Sequence, residues 1–392
     1  MTRVRWRHRD TVLSLCVLAY FGVRFVEYAL SLVFADVEAT LGVSTFVVGL
    51  AVAASTVTYA AAQLPSGALG DRYGERTVVL AALGLTGVAS LLLALSPSGL
   101  FVILGMALLG LVSGAYYSPA TALLSDLFEE TGRAIGVHRL GAQFVGFTGP
   151  LVGVVAARYG WRAVLALAGV VVVPVLLGFR LLVRPRRPVR PETPIRERIT
   201  PEAAADLLSR PPIAFTTGVA AFAQFVDTAT FSFLPLLLRQ YHGVSVELAG
   251  VLFTAYFGAV TASQPFAGWA SDRLGPDPVT VVALSVGVAG YLLLLVRGGV
   301  ATVAAAVLLV GCGMGWGPPV QSRFVTHLDD AERGIGFGLV RSAYIGFAAL
   351  NGVVVGGIVT LSGWKAAIWV LVVALAVPAA ALGANRATGR WT

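Results

Sequence analysis

Three ionisable residues lie deep inside apolar runs, where a charge needs a physical reason. Arg24 and Glu27 fall in the run 11–35 and Asp227 in the run 213–238, each close to the middle of its segment. A lone charge at the centre of a membrane-spanning helix costs roughly 2.5–3.5 kcal/mol, so such residues turn towards a protein interior or a wet cavity and pair there. Tyr20, Arg24, Glu27 and Ser31 follow the 4, 3, 4 spacing of one helical face, and Gln224, Asp227 and Phe231 share a second. If all three are ionised the group carries one net negative charge, which a proton on either carboxylate cancels. Burial favours the protonated carboxylate and a nearby cation the ionised one, so this constellation suits proton-coupled binding. The alternative reading is a permanent Arg24–Glu27 ion pair that only holds helices together. Asp227 has no obvious cation in its own helix and resists that reading.

Around these charges, the polar groups expected to line a cavity are Tyr59 and Gln63, Gln143, Gln224, Tyr256 and Gln264, and Tyr344 and Asn351. Plain packing explains each about as well. Trp316, between Gly315 and Gly317, offers an aromatic wall, but tryptophan also fills cores and ranks below the charges.

The elements that hold these residues are membrane helices. With 57% hydrophobic and 12% charged residues, the chain is too apolar for a soluble globule, whose charged share is near a quarter. Its apolar material divides into pieces matching the roughly 20 helical residues that cross a bilayer. Twelve spans are expected, at 11–35, 44–69, 77–96, 100–125, 134–157, 162–183, 213–238, 247–271, 278–296, 300–324, 335–360 and 364–384. In lipid every backbone amide needs an internal partner, and unbroken runs of this length are twice those of a barrel strand, so the fold class is all-α. The basic start RVRWRHRD resembles a signal peptide, but its apolar run exceeds an h-region and no small-x-small cleavage site follows, which makes it a retained first span. Cys16 and Cys312 lie inside spans without a CxxC partner or nearby histidines, so no disulfide, metal or cofactor is expected. The net charge of +8 sits almost wholly between spans, which points to topology and not to nucleic acid.

With the N-terminus inside, 22 basic residues fall on the cytoplasmic side, against Arg158, Arg162, Arg239, Arg297 and Lys365 outside. That bias places both termini in the cytoplasm of a multi-pass cell-membrane protein. The Pro/Arg-rich stretch after the sixth span divides the chain into a six-helix bundle at 1–183, a cytoplasmic linker at 184–212 and a second bundle at 213–392. Within the linker, Thr200-Pro201-Glu202 is a helix-start signal, and Pro201–Ser209 reads as a short helix or a flexible tether.

The halves are copies. QLPSGALGDRYG at Gln63 returns as QPFAGWASDRLG at Gln264, with Gln63/Gln264, Gly67/Gly268, Asp71/Asp272, Arg72/Arg273 and Gly74/Gly275 all 201 residues apart. Pro119/Pro319, Arg133/Arg333 and Gly136/Gly336 recur at 200, and Gly160-Trp161 returns as Gly363-Trp364 at 203. Six spans per half, both halves entering from one side, make a parallel repeat about the membrane normal.

On these residues the chain resembles the major facilitator superfamily along nearly its whole length. Gly67, Leu69, Asp71, Arg72, Gly74 and Arg76 look like its signature loop between helices two and three, with Glu75 in a usually basic place. Gly146, Gly149, Pro150 and Gly153 look like its antiporter-associated motif, although Val154 replaces a common glycine. The resemblance implies alternating access, with helices one and seven lining a central cavity. It also implies a lock in which Asp71 engages the start of helix eleven near Arg341, with Asp126 a partner for Arg76 or Arg72, and Asp272 and Arg273 as the counterpart in the second half. The alternative is that these charges only cap helices and enforce topology.

A secondary transporter of a small organic solute, proton-coupled and more often exporting than importing, accounts for repeat, charges and loops together. Uptake of an organic anion held by Arg24 is the runner-up. A non-transporting sensor or scaffold on the same fold is a reading from another class. Four scattered histidines argue against a membrane enzyme, and the lack of a G-x-x-x-x-G-K-[ST] loop argues against ATP drive by this chain. The expected partners are a small-molecule substrate, a coupling proton and membrane lipid, not nucleic acid. Two complete halves let a monomer suffice.

Overall fold

A computed structural model of the chain describes residues 8–128, 131–185, 201–327 and 333–388. Every regular element among them is helical. The first half contains α1 (His8–Leu41), α2 (Thr45–Tyr73), α3 (Glu75–Ala94), α4 (Gly99–Ser125), α5 (Thr131–Phe144) and α6 (Gly149–Leu182). After the short α7 (Pro201–Ser209) come α8 (Pro211–His242), α9 (Val246–Leu274), α10 (Pro276–Leu294), α11 (Val300–Gly313), α12 (Gly317–His327), α13 (Arg333–Ala348) and α14 (Leu350–Thr388). Of the two readings of Pro201–Ser209, the short helix is the one formed.

Ten helical stretches among the described residues are long and apolar enough to cross a membrane, and two of them, 137–182 and 339–386, run 46 and 48 residues. At 1.5 Å per residue each is about 70 Å long, more than twice the hydrocarbon thickness of about 30 Å. Each turns near its middle, at Gly160 (φ 80°) and at Gly363 (φ 77°), a backbone region open to glycine. Divided there, the ten stretches become the twelve spans read from the sequence.

The repeat reaches into tertiary contacts. Gly74 and Gly275, 201 residues apart, both stand at φ 85° ahead of α3 and α10. After each break the repeated tryptophan donates its indole N–H to the end of the first helix of its own half. Trp161 reaches Thr40 Oγ1 at 3.2 Å and Trp364 reaches Gln240 Oε1 at 2.8 Å.

The chain packs as two compact units. One comprises Met1–Val43 and Ala54–Ile195, the other Ser44–Ala53 and Arg196–Thr392. The start of α2 therefore packs within the second unit, where Phe46 N–H donates to Thr360 Oγ1 at 3.0 Å. The first unit closes around Val23, Leu83, Tyr116 and Phe179, each fully buried. In that unit Gly141 lies against the α1 backbone at Val17 and Phe21, so that a side chain there would meet the Val17 carbonyl.

Candidate functional site

In the first unit α1 carries the charged pair. Arg24 Nη1 lies 2.5 Å from Glu27 Oε2, with the side chains 25% and 20% exposed. One turn later Tyr28 is fully buried, and its hydroxyl donates to the Gly146 carbonyl at 3.2 Å. Ser31 is buried too and donates to the Tyr28 carbonyl at 2.8 Å. The 4, 3, 4 face is therefore graded, with a half-open ion pair beside closed hydrogen bonds. Tyr59, Gln63 and Gln143 are half-buried, and Gln63 Nε2 is enclosed with no hydrogen-bond partner among the described residues.

In the second unit α8 carries Asp227, to which Tyr256 of α9 donates its hydroxyl at 3.4 Å. One turn on, Thr230 and Tyr291 of α10 share a short hydrogen bond inside the unit. Gln224 donates along its own helix to Thr228 Oγ1 at 3.2 Å. Tyr256 and Trp316 are nearly enclosed, and Trp316 Nε1 has no hydrogen-bond partner among the described residues. Asn351 is wholly buried and donates to the Ala348 carbonyl at 2.6 Å, so its amide closes the break between α13 and α14. Gln264 and Tyr344 are half-buried.

The loop residues divide in the same way. Gly67 and Asp71 fall on α2, but the Asp71 side chain and its expected engagement lie outside the described residues, as does the Arg133 side chain. Arg72 is exposed and lies over the Tyr73 ring, and Arg273 lies 4.2 Å from the Trp269 ring. Arg76 Nη2 donates to the Arg180 carbonyl at 2.5 Å, tying the start of α3 to the end of α6. Asp126 follows α4 and is exposed, as is Asp272, while Arg341 is half-buried. Gly149-Pro150 starts α6 after the tight turn Val145–Thr148, where proline costs no helical hydrogen bond.

Two clusters escaped the sequence reading. Arg323, counted there only as a cytoplasmic cation, is 7% exposed and holds Asp277, 14% exposed, at 2.5 Å. Its Nε also donates to Thr216 Oγ1 at 2.9 Å, so α12, α10 and α8 meet on one guanidinium. Arg323 stands one residue before the end of its apolar run at 324, where an arginine can also reach the interface, so its burial was not legible from its position alone. Beside it His327, beyond the apolar stretch, is held below its ordinary pKa, first by burial and then by the Arg323 charge.

The second cluster gathers Tyr20, Tyr116, Tyr117 and His138 from α1, α4 and α5. Tyr116 donates to the Cys16 carbonyl at 2.7 Å, which leaves its oxygen to accept from His138 Nε2 at 3.0 Å. That arrangement selects the Nε2–H tautomer. No spacing rule joins residues this far apart in the chain.

An all-helical protein of two repeated halves, with ten stretches long and apolar enough to cross a membrane among the described residues, belongs to the class of multi-span membrane proteins. The family model of the Major Facilitator Superfamily matches residues 16–226 and again 213–386, so the chain belongs to that superfamily. It is 28% identical over 398 residues to the 4-hydroxybenzoate transporter PcaK of Pseudomonas aeruginosa, covering 88% of this chain and 86% of that one. It is 30% identical over 155 residues to a probable sulfoacetate transporter, SauU, of Cupriavidus necator, covering 38% of this chain and 35% of that protein. Among solved structures, a bacterial homologue of the human lysosomal transporter Spinster, inward-facing and occupied, superposes with a TM-score of 0.81 at 16% identity over 98% of both chains. The protein is a transporter of small solutes in a membrane.

Proposed function

We propose that this chain moves a small organic anion across the cell membrane together with a proton, by alternating access, with both termini in the cytoplasm. The observation that carries the reading is the half-open Arg24–Glu27 pair inside α1. While Glu27 is ionised it occupies the guanidinium. A proton on Glu27 ends that competition and frees Arg24 to bind the solute's carboxylate or sulfonate, so anion and proton load together. Asp227, tied to α9 by Tyr256, is the second proton carrier. Two relatives named for carboxylate or sulfonate solutes support an anionic cargo. The loop from Gly67 to Arg76, with Asp272 and Arg273 in the second half, acts as the lock of the cycle, and one chain suffices.

A second reading, export of drug-like solutes by proton antiport, rests on the Gly149-Pro150 break that opens α6. Flux in proteoliposomes under an imposed pH gradient separates the two, using a panel of aromatic carboxylates, short sulfonates and lipophilic cations. Anion accumulation driven by an inward proton gradient, and lost in Glu27→Gln or Asp227→Asn, supports the first reading. Gradient-driven accumulation that survives both substitutions refutes the proton assignment. Cation movement against the gradient supports export.

A further inference from the structure

The second unit contains an apolar groove of about 400 Å³ between α8, α13 and α14 that the cycle above does not use. Of its ten lining residues none is charged, and the Trp369 indole nitrogen is the one polar side-chain atom among them. The groove lies at mid-span. Phe222 and Phe225 stand near the centre of the 32-residue α8, and Trp369 and Val373 lie well beyond the Gly363 break. Its concavity comes from the α13–α14 break, where Ala349 N–H is shared between the Ile345 and Gly346 carbonyls at 3.1 and 3.3 Å. Phe347 and Leu350 project on either side of that point, and the Phe347 ring packs 5.3 Å from Phe222.

The groove faces away from the polar face of α8. At about 100° per residue, Phe225 and Phe222 lie about 140–160° around the helix from Asp227. Its mouth, at Leu350, Trp369, Val373 and Val377, is about half exposed, and all four residues lie in the 339–386 stretch that is long and apolar enough to cross a membrane.

We propose that this groove is a binding site for one acyl chain of a bilayer phospholipid. Water there would lack the two to four polar partners it needs, and a void would forfeit the dispersion contacts of four aromatic rings. A second copy of the chain is a poor occupant, because helices associate in lipid through small residues that let backbones approach, and this rim is Phe, Leu, Trp and Val. The chain is held by shape against rigid rings, since leaving one hydrocarbon phase for another supplies no hydrophobic gain. This site stands independently of Glu27 and of proton coupling.

The repeat supplies an internal control. Val170, 203 residues before Val373, is 57% exposed against 54%, and it does not line the groove. The full chain in nanodiscs is irradiated with phosphatidylcholine bearing a mid-chain diazirine, and adducts are mapped by peptide. Several-fold more adduct is expected on 345–378 than on 145–175. Val373→Trp, which fills the groove, lowers that excess to the control level, while Val170→Trp leaves it unchanged. Val377→Phe serves as a second filling variant, and monodispersity with unchanged thermal stability certifies that both fold. Equal labelling of the two segments, labelling indifferent to both filling variants, dimer crosslinking through Trp369→Cys, or displacement of the lipid by the transported solute would each overturn the assignment.

Discussion

Two ion pairs of the spanning helices have the same 2.5 Å separation and opposite architecture. Arg24 and Glu27 are three residues apart on one helix and stay about one-quarter and one-fifth exposed. Arg323 and Asp277 come from different helices, are almost closed off, and share the Thr216 hydroxyl. A pair on one helix can open without moving any backbone. A buried pair between helices leaves an uncompensated charge whenever either partner goes. The first geometry suits a switch and the second a fastener. Distance alone does not tell them apart; the elements that carry the two charges do.

The comparison breaks most readily at the fastener. Arg323→Ala should destabilise the second unit by about 3–5 kcal/mol, read as a lowered melting temperature of the protein in detergent or nanodiscs. Removing both partners, as Arg323→Met with Asp277→Leu, should recover much of that loss, because no buried charge remains. If Arg323→Ala melts like the wild type, the fastener reading is wrong.

Asp227 is an intermediate case, since its contact with Tyr256 crosses from α8 to α9 but is long at 3.4 Å. Tyr256→Phe should cost about 0.5–1.5 kcal/mol. If Asp227 carries a proton, the variant also moves the pH midpoint of solute uptake, which a purely structural tyrosine would not do.

The smallest stability effect is expected at the switch. Glu27→Gln should alter melting by less than about 1 kcal/mol, in line with partly exposed i,i+3 pairs, while transport loses its response to the pH gradient. A large loss of stability in Glu27→Gln would instead make Arg24–Glu27 a second fastener.

How far the site was legible depended on whether its signal is local. Arg24, Glu27 and Asp227 declared themselves because a charge in an apolar run is anomalous on its own strand of text, and their helical spacing assigns faces directly. Asn351 shows the limit. It reads as a cavity-lining amide by the same logic, yet a helix break three residues earlier claims its Nδ2 for the Ala348 carbonyl. Arg323 is the converse. At the end of the tenth span it could reach the interface, and nothing in the neighbouring residues names Asp277, 46 positions away.

The sequence by itself determined the all-helical class, the number of crossings and the repeat. The first two follow from hydrocarbon thickness and backbone satisfaction, which act segment by segment, and the third is read directly from matching residues. Only the tertiary structure decided which charges are half open and which are sealed, that Tyr116 fixes the His138 tautomer, and that three helices leave an apolar groove between them. Such features arise where distant helices cross, and a crossing depends on the side chains of both partners at once.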